Sequence, residues 1–282
     1  MYYKCYEHTV YLLKSISEIS SRNVSDGFPD LIDLLGDTAD DDNYVDSPFL
    51  DQNTCNYLEP CAFSDMYRSS AGVSFFHLNV RGLSANWESF KTLVCELQSD
   101  SFAFDFIGLS ESYKTEFDNR IQLTGYHKPL TRNRTHDFRG GVALFIKNEI
   151  TFRIREDISI FIPNIFESIF IECKCKSINI VVGVIYRPNT PPKADIDVFM
   201  STLFEILEIV ELENKNCIIM GDVNIDLLKY NTDGKTKSHV NNIFANGFLP
   251  VITKPTRVTH SSASLIDHVY SNLKSLKYRP TL

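Results

Sequence analysis

Met220-Gly221-Asp222-Val223-Asn224 sets a carboxylate and a carboxamide two positions apart, directly behind the apolar run Cys217–Met220. In extended backbone, residues i and i+2 project to one side. Asp222 and Asn224 would then offer a base beside a neutral hydrogen-bond donor, although Gly-Asp-x-Asn is also ordinary turn chemistry. Glu111 follows the apolar run Phe104–Leu109. A carboxylate at a strand's C-terminal end is well placed for a hard cation; the plainer alternative is an exposed acid that opens a loop. Asn79 closes Ser74–Val80, where its amide either orients a metal ligand or caps a turn. Tyr186 ends Ile178–Tyr186, and Pro188 forces the chain out of the sheet just after it. The Tyr186 hydroxyl can donate to a phosphate oxygen, or the ring simply packs. Asp267 and His268 are neighbours, and neighbours in a strand face opposite ways, so they are not expected to work as a direct pair.

Strands and helices must bring these positions together. Short apolar runs rich in β-type residues, with turn material between them, predict strands at Ser74–Val80, Phe104–Leu109, Val142–Lys147, Thr151–Arg155, Glu167–Lys174, Ile178–Tyr186, Cys217–Met220 and Leu265–Tyr270. Helical stripes predict Asn86–Gln98, with Trp87, Phe90, Leu93, Val94 and Leu97 on one face and Asn86 as cap, and Asp195–Glu213, with Phe199, Leu203, Leu207 and Val210 inward. A third helix, Thr236–Asn246, is closed by Gly247. The order is αβ, then a strand-rich middle, then αβ again. It fits two mixed sheets packed face to face with helices outside better than a regularly alternating parallel fold.

The ordered set is more specific than any member of it. Asn at one strand end, Glu at the next, Tyr-x-Pro-Asn, Gly-Asp-x-Asn and a late-strand Asp resemble the endonuclease/exonuclease/phosphatase superfamily. The stretches FFHLNVRGLSANWESF, FDFIGLSES, RGGVALFIKNEI, VVGVIYRPN, MGDVNIDLL and GFLPVITKPTRVTHSSASLIDHVYSN are most similar to the endonuclease domain of jockey-type non-LTR retrotransposons. The resemblance spans about Val73 to Asn272. It implies a four-layer α/β sandwich and a magnesium (or manganese) ion held by Glu111 with support from Asn79. It further implies Asp222 as activator of the attacking water, Asn224 and Tyr186 as donors to the phosphate, and Asp267 as the residue that orients a catalytic histidine. DNA is the implied substrate, and a reverse transcriptase domain, absent here, is expected in the parent polyprotein. The family's histidine belongs to a Ser-Asp-His strand; no such run occurs among the 15 residues after Asp267. The expectation is therefore a domain lacking its last strand, with a sheet edge left unpaired and nicking activity impaired. The alternative is a non-catalytic relic that keeps some nucleic-acid or protein binding; a phosphatase or phospholipase of the same fold is a third.

Composition sets the frame. Of the 282 residues, 43% are hydrophobic, with 20 Phe and 13 Tyr, enough for a large core. The net charge of −8 sits in residues 1–72, which carry 13 Asp and Glu against 4 Lys and Arg; residues 73–282 carry 23 against 24. Residues 1–72 read as an acidic, mostly flexible leader in which Tyr11–Ile19 alone suggests a helix, and residues 73–282 as the domain. No run of about 18 apolar residues spans a membrane. Seven cysteines without a CxxC pair argue against a disulfide framework or zinc site and for an intracellular protein, nuclear or cytoplasmic. Cys173 and Cys175 read as packing residues.

Overall fold

A computed structural model describes residues 8–14, 57–58, 63, 72–98, 102–113, 121–134, 139–189, 194–258, 261–273 and 277–281. In chain order the elements are β1 (His8–Lys14), β2 (Ser74–Asn79), α1 (Trp87–Leu97), β3 (Phe106–Ser110), β4 (Leu130–Arg132), β5 (Val142–Ile146), β6 (Phe152–Ile154), β7 (Phe161–Ile162), β8 (Phe166–Cys175) and β9 (Ile178–Tyr186). Then follow α2 (Ala194–Leu212), β10 (Asn216–Asp222), α3 (Gly234–Ala245), β11 (Leu249–Pro250), β12 (Arg257–Val258), β13 (Ala263–Ser264), β14 (Asp267–Ser271) and β15 (Lys277–Thr281).

One sheet runs β15-β1-β2-β3-β5-β4 and the other β11-β14-β10-β9-β8-β6, with β7 also on β8 and β12–β13 a small separate pair. Both are mixed: β2–β3 and β9–β10 run parallel, the other pairs antiparallel. Side-chain alternation builds the layers. On β2, Phe75 enters the core between the sheets, while Phe76 and Leu78 enter the core beneath α1. The α1 residues Trp87, Phe90, Val94 and Leu97 close that second core. Phe199, Leu203, Leu207 and Val210 of α2 are fully buried on the outer face of the other sheet. The architecture is the expected α/β sandwich of two mixed sheets with helices outside.

Two glycines let backbones and sheets approach. A Cβ on Gly221 would lie 1.9 Å from the Ile185 carbonyl oxygen, and one on Gly108 would lie 2.7 Å from a Val184 methyl of the opposite sheet. Gly247, at φ +71°, ends α3 as predicted: its N–H bonds the Phe244 carbonyl while Phe248 N–H reaches Ile243, a Schellman closure. Cys173 and Cys175 are both buried.

Four expectations change. Tyr11–Lys14 lie in strand β1 instead of a helix; residues 15–19 fall outside the described residues. The edge of β2 is covered by β1, and β1 in turn pairs with β15, so β2 is not left unpaired. Lys277–Thr281 is a strand missed because Pro280 lacks a ladder donor, which an edge position tolerates. Asn86 sits at the start of α1 but makes no side-chain cap; its Nδ2 instead donates to the carbonyls of Val80, Arg81 and Gly82, pinning the loop after β2.

Candidate active site

Strand register, more than sequence distance, assembles the site. Asp267 on β14 stands opposite Asp222 on β10, Asp222 opposite Tyr186 on β9, and Tyr186 opposite Glu167 on β8. Cross-strand neighbours share a face, so these four side chains form one row. In the facing sheet, Asn79 and Ser110 stand opposite each other at the ends of the parallel pair β2–β3. The two strand-end rows meet across the sandwich.

The junction is the amide of Asn79. Its Nδ2 donates one hydrogen to Glu111 Oε1 at 2.8 Å and the other to Asp222 Oδ2 at 2.6 Å. Its Oδ1 accepts the Arg81 N–H at 3.2 Å, which fixes the amide's orientation. Glu111 Oε2 also accepts the Tyr113 hydroxyl at 3.1 Å, and Asp222 Oδ1 accepts the Asn224 N–H at 3.2 Å. Both carboxylates are thus held by neutral donors.

Backbone conformation around them is unusual. Arg81, Glu111, Tyr113 and Asn224 all have φ between +46° and +58°. A branched or bulky side chain rarely sits there, and such outliers persist only where surroundings hold them. Here Gly82 N–H bonds Glu111 O at 2.7 Å, and Tyr113 N–H bonds Gly140 O at 2.7 Å. The next layer is a buried ion pair: Glu167 accepts Arg134 Nε on one oxygen and Gly141 N–H on the other. Burial raises the Glu167 carboxyl, opposed by the Gly141 N–H and the Arg134 guanidinium.

Tyr186 is buried, and burial first, then Glu111, Asp222 and Glu167, pushes its phenol well above the ordinary tyrosine range. It remains an O–H donor. Arg187, buried beside it, donates Nε to Val223 O at 2.7 Å and Nη2 to Asn224 O at 2.6 Å. Asn224 Nδ2 returns a bond to Arg187 O at 2.8 Å. This clamp holds the turn that follows Asp222.

A family model for the endonuclease/exonuclease/phosphatase family matches residues 76–281, the segment that contains every one of these side chains. The chain belongs to the endonuclease/exonuclease/phosphatase family. Similar solved structures include the catalytic domain of Xenopus laevis APE2 (16% identity, covering 73% of this chain and 92% of that one, TM-score 0.50) and a 3′–5′ exonuclease from Neisseria meningitidis (15%, 70% and 86%, TM-score 0.50). The endonuclease domain of TRAS1, a telomere-specific non-LTR retrotransposon, is also similar (13%, 70% and 84%, TM-score 0.49). At these identities the likeness is one of fold. No curated relative matches the sequence.

Members of the endonuclease/exonuclease/phosphatase family generally use divalent metals, and the donor set here suits one. Among the described residues no three His, Cys, Asp or Glu side chains converge as a cage. Glu111, with Asp222 on the same amide, offers instead the one or two hard carboxylate oxygens that magnesium accepts while it keeps most of its water. Asn79 fits as a bracket for these carboxylates, since its nitrogen faces them and its oxygen faces the Arg81 loop.

All six residues singled out from the sequence, Asn79, Glu111, Tyr186, Asp222, Asn224 and Asp267, lie at or beside this junction. Asn224 arrives there differently from expectation. The strand ends at Asp222, and Asn224 sits at φ +53° in a turn closed on the Asp222 carboxylate, so strand parity does not place it. His268 points away, as adjacency predicted: its Nε2 meets Leu265 O at 3.1 Å and its Nδ1 meets the Tyr270 hydroxyl. Sequence reasoning missed Tyr113, Arg187, the Arg134–Glu167 pair and His77. His77 lies two residues before Asn79, so the same parity rule would have put it on the site face.

Proposed function

We propose that this chain is a magnesium- or manganese-dependent phosphodiesterase acting on DNA, of the nicking kind found in non-LTR retrotransposons. The observation that carries the reading is the single amide of Asn79 bound to Glu111 and Asp222 from two different sheets. It supports a constellation in which a cation-binding carboxylate and a general base are fixed side by side before substrate arrives.

In this reading a divalent ion near Glu111 would neutralise charge on the scissile phosphate. Asp222 takes the proton of the attacking water. Tyr186, kept protonated by its surroundings, and Asn224, with its second amide hydrogen, donate to the phosphate oxygens. Arg187 keeps Asn224 in place. Asp267 completes the row next to Asp222. No Ser-Asp-His run occurs in these residues, and lack of one preorganised donor costs on the order of 10²–10³-fold in turnover. Cleavage by this chain is accordingly proposed to be slow. The same lack of a Ser-Asp-His run favours the second reading, a relic that binds metal and DNA without cutting.

Supercoiled plasmid incubated with the protein in magnesium or manganese is the test. Slow conversion to the nicked form, stopped by chelator and by Asp222→Ala, supports the enzyme. Cation-dependent DNA binding that Glu111→Ala weakens, without cleavage, supports the relic. Nicking indifferent to Asp222→Ala and chelator would reject both.

A further inference from the structure

His77 and Ser110, which the roles above do not use, form a chain with Asp267 beneath the site. All three are buried, with exposures of 0%, 0% and 2%. His77 Nε2 lies 2.8 Å from Ser110 Oγ, and His77 Nδ1 lies 3.7 Å from Asp267 Oδ1. Ser110 Oγ in turn accepts the backbone N–H of Asp222 at 3.2 Å.

The distances assign the protons. Ser110 has one hydroxyl hydrogen and two candidate acceptors, His77 Nε2 at 2.8 Å and Ile185 O at 3.4 Å. The shorter, better contact takes the hydrogen, so Nε2 is the acceptor. Completely buried and accepting on Nε2, the ring is held neutral. A neutral imidazole carries one N–H, which must then be on Nδ1. That nitrogen makes no hydrogen bond within ordinary distance, and the charged group it faces is the Asp267 carboxylate. At 3.7 Å the contact is charge to dipole, strengthened by the low dielectric of the interior.

We propose that His77 is a positioning residue: as the Nδ1–H tautomer it steadies the buried Asp267 carboxylate from inside the sandwich, and through Ser110 it fixes the backbone of Asp222. His77 comes from β2, so it ties Asp267 and Asp222, on the second sheet, to the strand that carries Asn79. The functional part of this role rests on the phosphodiesterase reading; the tautomer and its dependence on Asp267 do not.

Long-range ¹H–¹⁵N spectra of the ¹⁵N-histidine-labelled full chain test the tautomer directly, the His77 signals being those lost in His77→Asn. The expected result is a protonated Nδ1 and bare Nε2 in the wild type, with the Nδ1 resonance displaced in Asp267→Asn. A protonated Nε2 in the wild type, or a His77 signal unmoved in folded Asp267→Asn, overturns the proposal. Two further variants separate the arms. The amide N–H of Asn can replace Nδ1–H and the amide oxygen of Gln can replace the acceptor Nε2, so His77→Asn keeps the Asp267 contact and His77→Gln keeps the Ser110 contact. Where plasmid nicking is measurable, each should lower kcat roughly 10-fold with KM held, and His77→Leu should lower it further. Equal kcat for the Asn, Gln and Leu variants overturns the positioning role. A chain that never cuts leaves the spectra to decide, so the failure of one reading is not mistaken for that of the other.

Discussion

Asp222 and Asp267 stand directly opposite each other in the antiparallel β10–β14 ladder, two buried acids side by side on one face. Like charges so placed repel. The pair is tolerable because donors arrive from the facing sheet: Asn79 Nδ2 on Asp222, and the His77 ring beside Asp267. The acids and their donors therefore depend on sheet–sheet docking.

Asn79→Ala should leave the fold intact and weaken manganese binding roughly 10–100-fold, the usual cost of losing a group that orients a ligand. Titration calorimetry with Mn²⁺ measures it. Unchanged affinity would mean that Glu111 holds its place without the amide.

Gly221→Ala should be severely destabilising, by about 3 kcal/mol or more, because the new methyl meets the backbone oxygen of Ile185, which has no side-chain freedom to yield. Urea unfolding of the variant against wild type provides the comparison. A midpoint near that of wild type would show that β9 and β10 can separate at this point.

Stability should fall with acid through a buried histidine pair. His268 Nε2 faces Leu265 O and so carries the proton; its Nδ1 accepts from the Tyr270 hydroxyl, whose oxygen accepts from His239 Nε2 at 2.7 Å. Burial is the largest cause that lowers both rings, His268 to about 4 and His239 well below its ordinary 6.5. With folded values below the unfolded one, this stability is complete above pH 6.5 and drains as the pH falls toward 4. The slope is about 1.4 kcal/mol per pH unit per histidine. Urea midpoints between pH 7 and 4.5 should track it, and His239→Gln should flatten it; an equal slope in that variant would assign the loss elsewhere.

Arg134→Ala should cost about 3–5 kcal/mol, since it leaves the buried Glu167 charge without its guanidinium. Adding Glu167→Gln to it should restore part of the loss, as read in a double-mutant cycle by thermal unfolding. Strictly additive losses would show that the two side chains do not sense each other.

Much of this was legible in the sequence because strands declare themselves as short apolar runs and helices by their period. The inward residues of α2 and the glycine that closes α3 follow from spacing alone. Asn79, Glu111, Tyr186 and Asp222 were found because each lies within two residues of the end of an apolar run. Register was not legible. Nothing local says that Asp267 pairs with Asp222 or that Glu167 reaches Gly141, because those pairings are chosen by the whole sheet. His77 was hidden for a different reason: between Phe76 and Leu78 it reads as an interruption in a core strand. The turn at Asn224 misled through its extended-looking spacing, although asparagine tolerates a left-handed backbone.

Asn79 belongs to one sheet and Asp222 to the other, so the amide bridge runs along a seam between two halves of the molecule. A seam of this kind makes chemistry a gauge of assembly. On the proposed reading, heat or denaturant that parts the sheets by about an ångström should silence the site, even while each sheet keeps its own ladder. Loss of metal affinity should thus precede loss of secondary structure on warming, and a chain cleaved at a surface loop should regain the site only when its two pieces close on one another again.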